Sequence, residues 1–487
     1  MNEGADRGMP RFGQMLKSLV DASGVSISRI AQATGIDRPT IHKYISGSRM
    51  PSEDKLMRLL AVLKTTAGEQ KQLRMQYELE NTGELTFYQR MAVKQMLENL
   101  QLTEQYDTQI ALPEIRAEMR QADQTVQILK GRPSIAQAVI ALAGSTNEGL
   151  RLFPGFPAHL MHMAAAAIAR KTAPAVRIQQ LLCYPKQIES QQDVRQCIAA
   201  LAEAIPLSLS ETIQYEVYYY YENAVYHPDS AILFPYCALF DDVVVMVSDD
   251  LEQLAILRDP AVAAAYRERF DRLLHGSRPL VTKGRETIRQ ICGFAAMEEQ
   301  AAHNYRLLIQ PCLPRYASSR IIKRVLSGMQ ALEPAAMQRL LERVDLLRAT
   351  QDDFMFFTEE GVARFAREGY VADLPKEWSS TVEPEERIAI LSRLREDCMA
   401  NYRRMLRPDT LRMPANAMLE ICEDNGVVLV VSGESSHHVI VVKEDGIVKA
   451  MCDFVEHLMH SDGVASREET IAMIDQYICE LEAQCTR

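Results

Sequence analysis

The chain reads as multidomain: a small all-α domain at the N-terminus, then a larger α/β (α+β) body that carries a duplicated unit. Three observations predict this. At 487 residues the chain exceeds the roughly 100–200 of one domain. Up to about residue 66, apolar residues recur at helical spacing between recognisable caps. After about Gly131, short β-branched runs alternate with alanine-rich and Glu/Arg-rich segments. The expected division is 1–66 for the helical domain, 67–130 for a helical linker, and 131–292 and 293–487 for two α/β lobes.

The helical elements follow in order. Phe12, Leu16, Leu19 and Val20 fall on one face of a helix. Ser26 opens a second helix with Ile27, Ile30 and Ala31 inward, and Gly35 ends it. Asp37 is an N-cap for a third helix, with Pro39 in its first turn, where a missing N–H costs nothing. Gly47 stops that helix after Ser46, and Pro51-Ser52 open a fourth with Leu56, Leu59, Leu60 and Leu63. Gly68 to Gly83 is a polar, mostly helical connection. Phe87 to Leu100 is an amphipathic helix with Phe87, Met91, Leu97 and Leu100 as candidate buried positions. It is a candidate dimer helix, with packing against the body as the alternative.

In the body, Leu150–Phe153, Ile232–Phe234, Val243–Val247, Phe354–Phe357, Val427–Val431 and Val439–Val442 read as strands. An internal echo links the two halves. Val243-Val-Val-Met-Val-Ser248 lies over Val427-Val-Leu-Val-Val-Ser432, and Ala255-Ile-Leu257 over Val439-Ile-Val441. Phe270 then meets Phe454 and Leu274 meets Leu458; after a one-residue shift, Glu286-Thr-Ile288 meets Glu469-Thr-Ile471. This repetition predicts a duplicated domain.

Composition is that of an ordinary globular protein, 47% hydrophobic and 24% charged. A net charge of −11 argues against the whole surface binding nucleic acid. From Arg11 to Lys64, however, nine Lys/Arg stand against four Asp/Glu. A small basic module on a large acidic body suits polyanion contact by the module alone. No two of the ten cysteines are spaced CxxC, and no Cys/His cluster has zinc-ligand spacing. Scattered thiols suggest a reducing compartment. Met1 to Gln14 lacks the apolar core of a leader, and no apolar run approaches the ~20 residues that span a bilayer. The expectation is a cytoplasmic protein without membrane partner, metal or cofactor.

Ile27 to Gly47 carries the motif with chemical content. Ala31 is small where two helices must cross, Gly35 makes the turn, and Ile30, Ile36, Ile41 and Ile45 form a shared interior. Arg38, Thr40, His42 and Lys43 are then left facing outward from a helix that fits a DNA major groove. Phe12 to Leu63 resembles the Cro/C1-type (Xre-family) helix-turn-helix. The resemblance rests on Ile30-Ala31, Thr34-Gly35-Ile36, Ile41, Ser46-Gly47 and Arg49-Met-Pro51-Ser52, and covers about a tenth of the chain. It implies a transcription regulator of double-stranded DNA, with Arg38, Pro39, Thr40, His42 and Lys43 at or near the DNA. Arg29, Tyr44, Ser46 and Arg49 are then placed for phosphates. One departure leaves the operator open: the family often has Gln at the start of the second and third helices, where Ile27 and Arg38-Pro39 stand.

The body yields weaker signals. Phe234-Pro-Tyr236, Val243 to Asp250 and Tyr266 to Leu274 loosely resemble sensor regions of such regulators, which implies an unidentified small-molecule or peptide effector. Tyr215, Tyr218 to Tyr221 and Tyr226 suit a ligand pocket, or are mixed core and surface tyrosines on a helix-to-loop segment. His437-His438 after Gly433-Glu-Ser435 lacks the second Gly of a GxSxG elbow and reads as a hairpin loop. The carboxylate pairs Asp241-Asp242, Asp249-Asp250 and Asp352-Asp353 read as solvated turn caps. The phospholipase-D type HxK(x)4D signature is absent, as are a Walker A loop, a GxGxxG after a strand and HExxH.

No catalytic residue is nominated, and the expectation is a homodimeric regulator that is not an enzyme. The alternative is an enzyme or defence-system effector recruited to DNA by its head; a buried, converging polar set in the body would favour it. A peptide-pheromone receptor is disfavoured by the strands and the lack of a 34-residue repeat.

Overall fold

The computed structural model describes residues 12–100, 124–170, 176–186, 191–210, 213–222, 232–284, 295–325, 334–349, 353–372, 380–415, 417–432 and 437–485. The chain divides into two compact units, Met1–Met91 and Ala92–Arg487. The first is all-α and the second mixed α/β.

In the first unit, α1 (Phe12–Ser23), α2 (Ile27–Thr34), α3 (Arg38–Ile45), α4 (Glu53–Val62) and α5 (Ala67–Thr82) enclose one apolar core. Its members are the residues that helical spacing puts on inner faces: Phe12, Leu16, Ile30, Ile36, Ile41, Leu56, Leu59 and Leu60. Leu73 and Tyr77 of α5 join them, so the unit extends past residue 66. Tyr77 meets Phe12 edge-on at 5.8 Å and donates from its hydroxyl to the Pro51 carbonyl at 3.0 Å. The Phe12 amide donates to Glu80 Oε1 at 2.7 Å. A Thr66–Glu69 capping box starts α5, each side chain accepting from the other residue's amide. In α6 (Glu84–Asn99), Phe87 and Leu97 are buried, as is Leu100 just after the helix, but Met91 is 46% exposed, against expectation.

The second unit holds two sheets. The first comprises β1 (Val126–Lys130), β2 (Gly149–Leu152), β3 (Arg177–Pro185), β4 (Gln214–Glu222), β5 (Tyr236–Phe240), β6 (Val243–Val247), β7 (Gln253–Leu257) and β8 (Arg278–Pro279), in the order β1-β7-β6-β5-β2-β3-β4-β8. The second comprises β9 (Val281–Gly284), β10 (Asn304–Leu308), β11 (Asp353–Thr358), β12 (Arg403–Leu406), β13 (Ala417–Cys422), β14 (Gly426–Ser432) and β15 (His437–Val442), in the order β12-β11-β10-β13-β14-β15-β9.

Read from opposite ends, these orders coincide. β2-β3-β4 and β10-β11-β12 are each parallel, and β5-β6-β7-β1 and β13-β14-β15-β9 are each antiparallel. The sequence echo falls on β6 over β14, β7 over β15, and helix Pro260–His275 over helix Asp445–Met459. Phe270 and Phe454 are both buried there. Even the hairpin turns repeat: Asp241 after β5 and Asp424 after β13 both have positive φ, 47° and 61°. The Glu286–Ile288 part of the echo lies outside the described residues. Each sheet takes its outermost strand, β1 or β9, from just before its lobe's central parallel strands, so β1 belongs to the first sheet and β9 to the second.

A shared core joins the sheets, with Leu150, Ile178, Val217 and Val245 from one and Leu307, Phe356, Leu419 and Leu429 from the other. A second core, including Met355, Phe357, Phe365, Ile390 and Leu394, lies on the other side of the second sheet.

Several local expectations change. Ile232–Phe234 is not a strand; pairing begins at Tyr236. Tyr215 to Tyr221 lie within strand β4, not on a helix-to-loop segment, with Tyr215 and Tyr219 inward and Tyr218 half-buried. Tyr226 and Gly433–Ser436 lie outside the described residues, while His437-His438 begins β15. Asp241 does cap, accepting from the amides of Asn147, Glu148 and Gly149 at 2.8–3.0 Å.

Gly13 supplies the closest approach within the first unit. A Cβ there would lie 2.8 Å from the Gly47 amide nitrogen and 2.9 Å from the Ile45 carbonyl, both rigid backbone. Gly13→Ala is expected to destabilise this unit by about 1–3 kcal/mol, the usual range for overpacking. In hydrogen exchange on the full chain, amides of α1 and α3 should exchange faster while those of β6 and β14 are unchanged; equal protection in all four would refute the clash.

Candidate nucleic-acid interface

The outward face of α3 is built by local chemistry. Gly35, at φ 71°, ends α2 by donating its amide to the Ala31 carbonyl. Asp37 then accepts from the Thr40 amide at 2.9 Å, and these Thr40 hydrogen bonds hold its carboxyl below the usual range. Pro39 occupies the first turn. Ile41 and Tyr44, three residues apart on one face, turn inward and are 0% and 1% exposed.

That orientation leaves Arg38, Pro39, His42 and Lys43 exposed and Thr40 half-exposed. Ser46, Arg49 and, on α2, Arg29 are exposed as well. Tyr44 is the correction: its ring and hydroxyl are enclosed in the core, so it presents nothing for a phosphate. Ser46 Oγ donates to the Lys43 carbonyl at 3.1 Å and closes the turn after α3. Sequence reasoning missed Ser28, whose hydroxyl accepts from the Arg38 guanidinium and ties the start of α2 to the start of α3. These are the two helix starts where the resemblance led one to look for Gln.

A second polar constellation, not foreseen, lies in the second lobe. Arg306 (β10) and Glu420 (β13) are register partners on neighbouring strands. Arg306 Nη2 lies 2.6 Å from Glu420 Oε1 and 3.2 Å from Glu298 Oε1, while its Nη1 donates to Asp353. Arg343 bridges Glu298 and Glu420 from the other side, at 2.8 and 3.2 Å. Asp353 also receives Arg315 and Arg403, and Arg403 Nε donates to Asp397 at 2.8 Å. The Tyr316 hydroxyl donates to the same Asp397 at 2.6 Å.

Asp397 is the least enclosed member; the other charged groups are each under a tenth exposed. Burial would raise the Glu298 carboxyl, but the Arg343 and Arg306 guanidiniums outweigh it and hold it at about 2. Burial and the neighbouring Glu298 push Glu420 the other way, to about 7. Asp353 was read as a solvated cap; it is 2% exposed at the start of β11, paired with three arginines. The available signal was a lone charge inside an apolar strand, Arg306 before Leu307-Leu308 and Glu420 between Leu419 and Ile421.

Among the described residues, no group of three or more His, Cys, Asp or Glu is arranged to hold a metal. No described helix is long and apolar enough to cross a membrane.

This geometry defines a helix-turn-helix domain joined to an α/β body. A helix-turn-helix domain family model matches residues 11–73. Comparison with curated proteins finds no match. Among solved structures, the chain is similar to TrmBL2, an archaeal chromatin protein (14% identity, 55% of this chain and 94% of that one, TM-score 0.21). It is also similar to phosphatidylserine synthase of Haemophilus influenzae (8% identity, 80% and 96%, TM-score 0.25) and polyphosphate kinase of Porphyromonas gingivalis (8% identity, 77% and 60%, TM-score 0.21). Two of these three are enzymes by name, so the expectation that the chain is not an enzyme is withdrawn. At these scores no site or activity carries over from them.

Charges buried this deeply are costly unless every one keeps its partners. Arg306→Met would take one partner from each of Glu298, Asp353 and Glu420 and is expected to cost about 3–5 kcal/mol, read from the urea midpoint. A loss below ~1 kcal/mol would show that the cluster relaxes freely.

Proposed function

We propose that the protein is a sequence-specific, DNA-binding transcriptional regulator, with its Cro/C1-type head as the reader and its body as sensor or assembly region. The observation that carries this reading is α3, with Ile41 and Tyr44 inward and Arg38, Thr40, His42 and Lys43 outward. Arg38 and Lys43 donate to base edges, with guanine O6/N7 the natural acceptors, while Arg29, Ser46 and Arg49 hold phosphates. Tyr44 is left out of this set because it is buried. A head this small gains affinity by reading two half-sites, so the working form is a homodimer in the cytoplasm. Two lobes of like topology, 131–292 and 293–487 with β1 added to the first and β9 passed to the second, form the body. An effector, small molecule or peptide, acts by preferring one arrangement of the readers over another.

The test is binding to duplex DNA from the protein's own promoter region at several salt concentrations. Affinity should fall steeply with salt. Arg38→Ala and Lys43→Ala should each weaken binding by about 1–3 kcal/mol without unfolding the head. Unchanged affinity in the double variant would remove α3 as the reader.

A second reading, an enzyme brought to DNA by the head, is favoured by the converging buried charges around Asp353. Supercoiled plasmid incubated with the protein and Mg²⁺ should be nicked or cut if the body processes DNA. Plasmid that stays supercoiled, while the protein is shown to bind it, would count against that form of the reading.

A further inference from the structure

We propose that the outer edge of β1 is a homodimerisation seam, on which a second copy of the chain adds its own β1 antiparallel, joining two eight-stranded sheets. This deepens the two-reader reading above and rests on it for the need for a dimer.

The edge is identified by its backbone. Among the described residues, β1 ends the first sheet and pairs with β7 alone. The Arg258 amide donates to the Thr125 carbonyl and the Gly131 amide to the Glu252 carbonyl, so the odd-numbered residues of β1 turn their N–H and C=O toward β7. Those of Val126, Ile128 and Lys130 therefore point away from the sheet. The side chains of these three residues share one face of the sheet and are exposed there, Val126 at 54% and Ile128 at 55%, while Gln127 and Leu129 are half-buried. Proteins usually blunt such an edge by shortening, charging or covering it. Two of the other edges, β8 and β12, are treated that way. β8 has two residues. β12 is covered by residues 464–470, with Ala465 donating to the Met405 carbonyl, Met405 to Thr470 Oγ1, and Leu406 bridged to Val464.

A second copy fits for two reasons. A two-fold axis through Ile128 pairs Ile128 with itself and Val126 with Lys130 of the other copy, so each outward N–H meets an outward C=O. In that register the single charge, Lys130, lies opposite valine at each end; a register centred on Lys130 would oppose like charges. The exposed Ile128 side chains of the two copies then lie side by side across the seam.

The experiment is sedimentation of the full chain at micromolar concentration. Wild type should be a dimer, and Ile128→Pro, which deletes the central outward N–H, should be a monomer with an unchanged circular dichroism spectrum. As a variant that keeps the β1 backbone N–H, Ile128→Cys is examined in a Cys479→Ser/Cys485→Ser background. Facing residues of a hydrogen-bonded antiparallel pair lie about 5.5 Å apart at Cα, within disulfide reach. Mild oxidation should therefore cross-link Ile128→Cys into a covalent dimer, whereas Gln127→Cys should not. A monomeric wild type, a dimeric Ile128→Pro, or no cross-link through position 128 would each overturn the seam; the first would leave the edge to another protein's strand. Arg38→Ala/Lys43→Ala should lose DNA and stay dimeric, so failure of the seam and failure of the DNA reading are told apart.

Discussion

The head depends on one constraint: Ile30, Ile36, Ile41 and Tyr44 must all be inside before anything on α3 can face out. An eight-residue helix has little stability of its own. It persists because its inner face is buried against α1, α2 and α4 and because Asp37 satisfies an amide at its start. Burial fixes the helix's rotation, and rotation decides which side chains meet a partner. Ser28 adds a tie between the two helix starts, its hydroxyl accepting from the Arg38 guanidinium.

The body solves a different problem with a repeated plan. Each lobe brings three parallel and four antiparallel strands to one sheet, to which the first adds the short β8, and the inward faces of both sheets share a core. Neither inner face could remain in water, so the lobes stabilise each other. The second lobe also encloses charge. Four arginines and four carboxylates meet around Asp353 and Glu420, each sign neutralised by the other. Such clusters add little net stability compared with apolar packing. Their partners must nevertheless all be present, which ties strands β10 to β13 to helices Pro334–Ala349 and Pro384–Ala400 in one arrangement.

What was legible in the sequence was mostly local. Asp37, Pro39, Gly35 and Gly47 act within one or two turns, and the structure shows the helix limits they mark. β6 and β14 were legible because β-branched runs have few alternatives. β3, β4, β10, β12 and β13 were not, because their polar and tyrosine residues hide the pattern until a neighbouring strand is known. Asp353 was misread for the same reason: next to Asp352 it resembles a solvated turn, and its arginines come from distant segments. Tyr44 was misjudged although its spacing from Ile41 already placed both on one face.

By itself the sequence determined the head: its four opening helices, their caps, the basic outward residues of α3, and the presence of a repeated strand–strand–helix unit. Only the tertiary structure decided which strands pair, that Arg306 faces Glu420, that Tyr44 closes the core, and that β1 is the terminal strand of the first sheet among the described residues. The division has a physical cause. Caps and helical faces arise between residues a few positions apart, whereas strand order and buried ion pairs join residues tens of positions apart, and no local preference specifies which will meet.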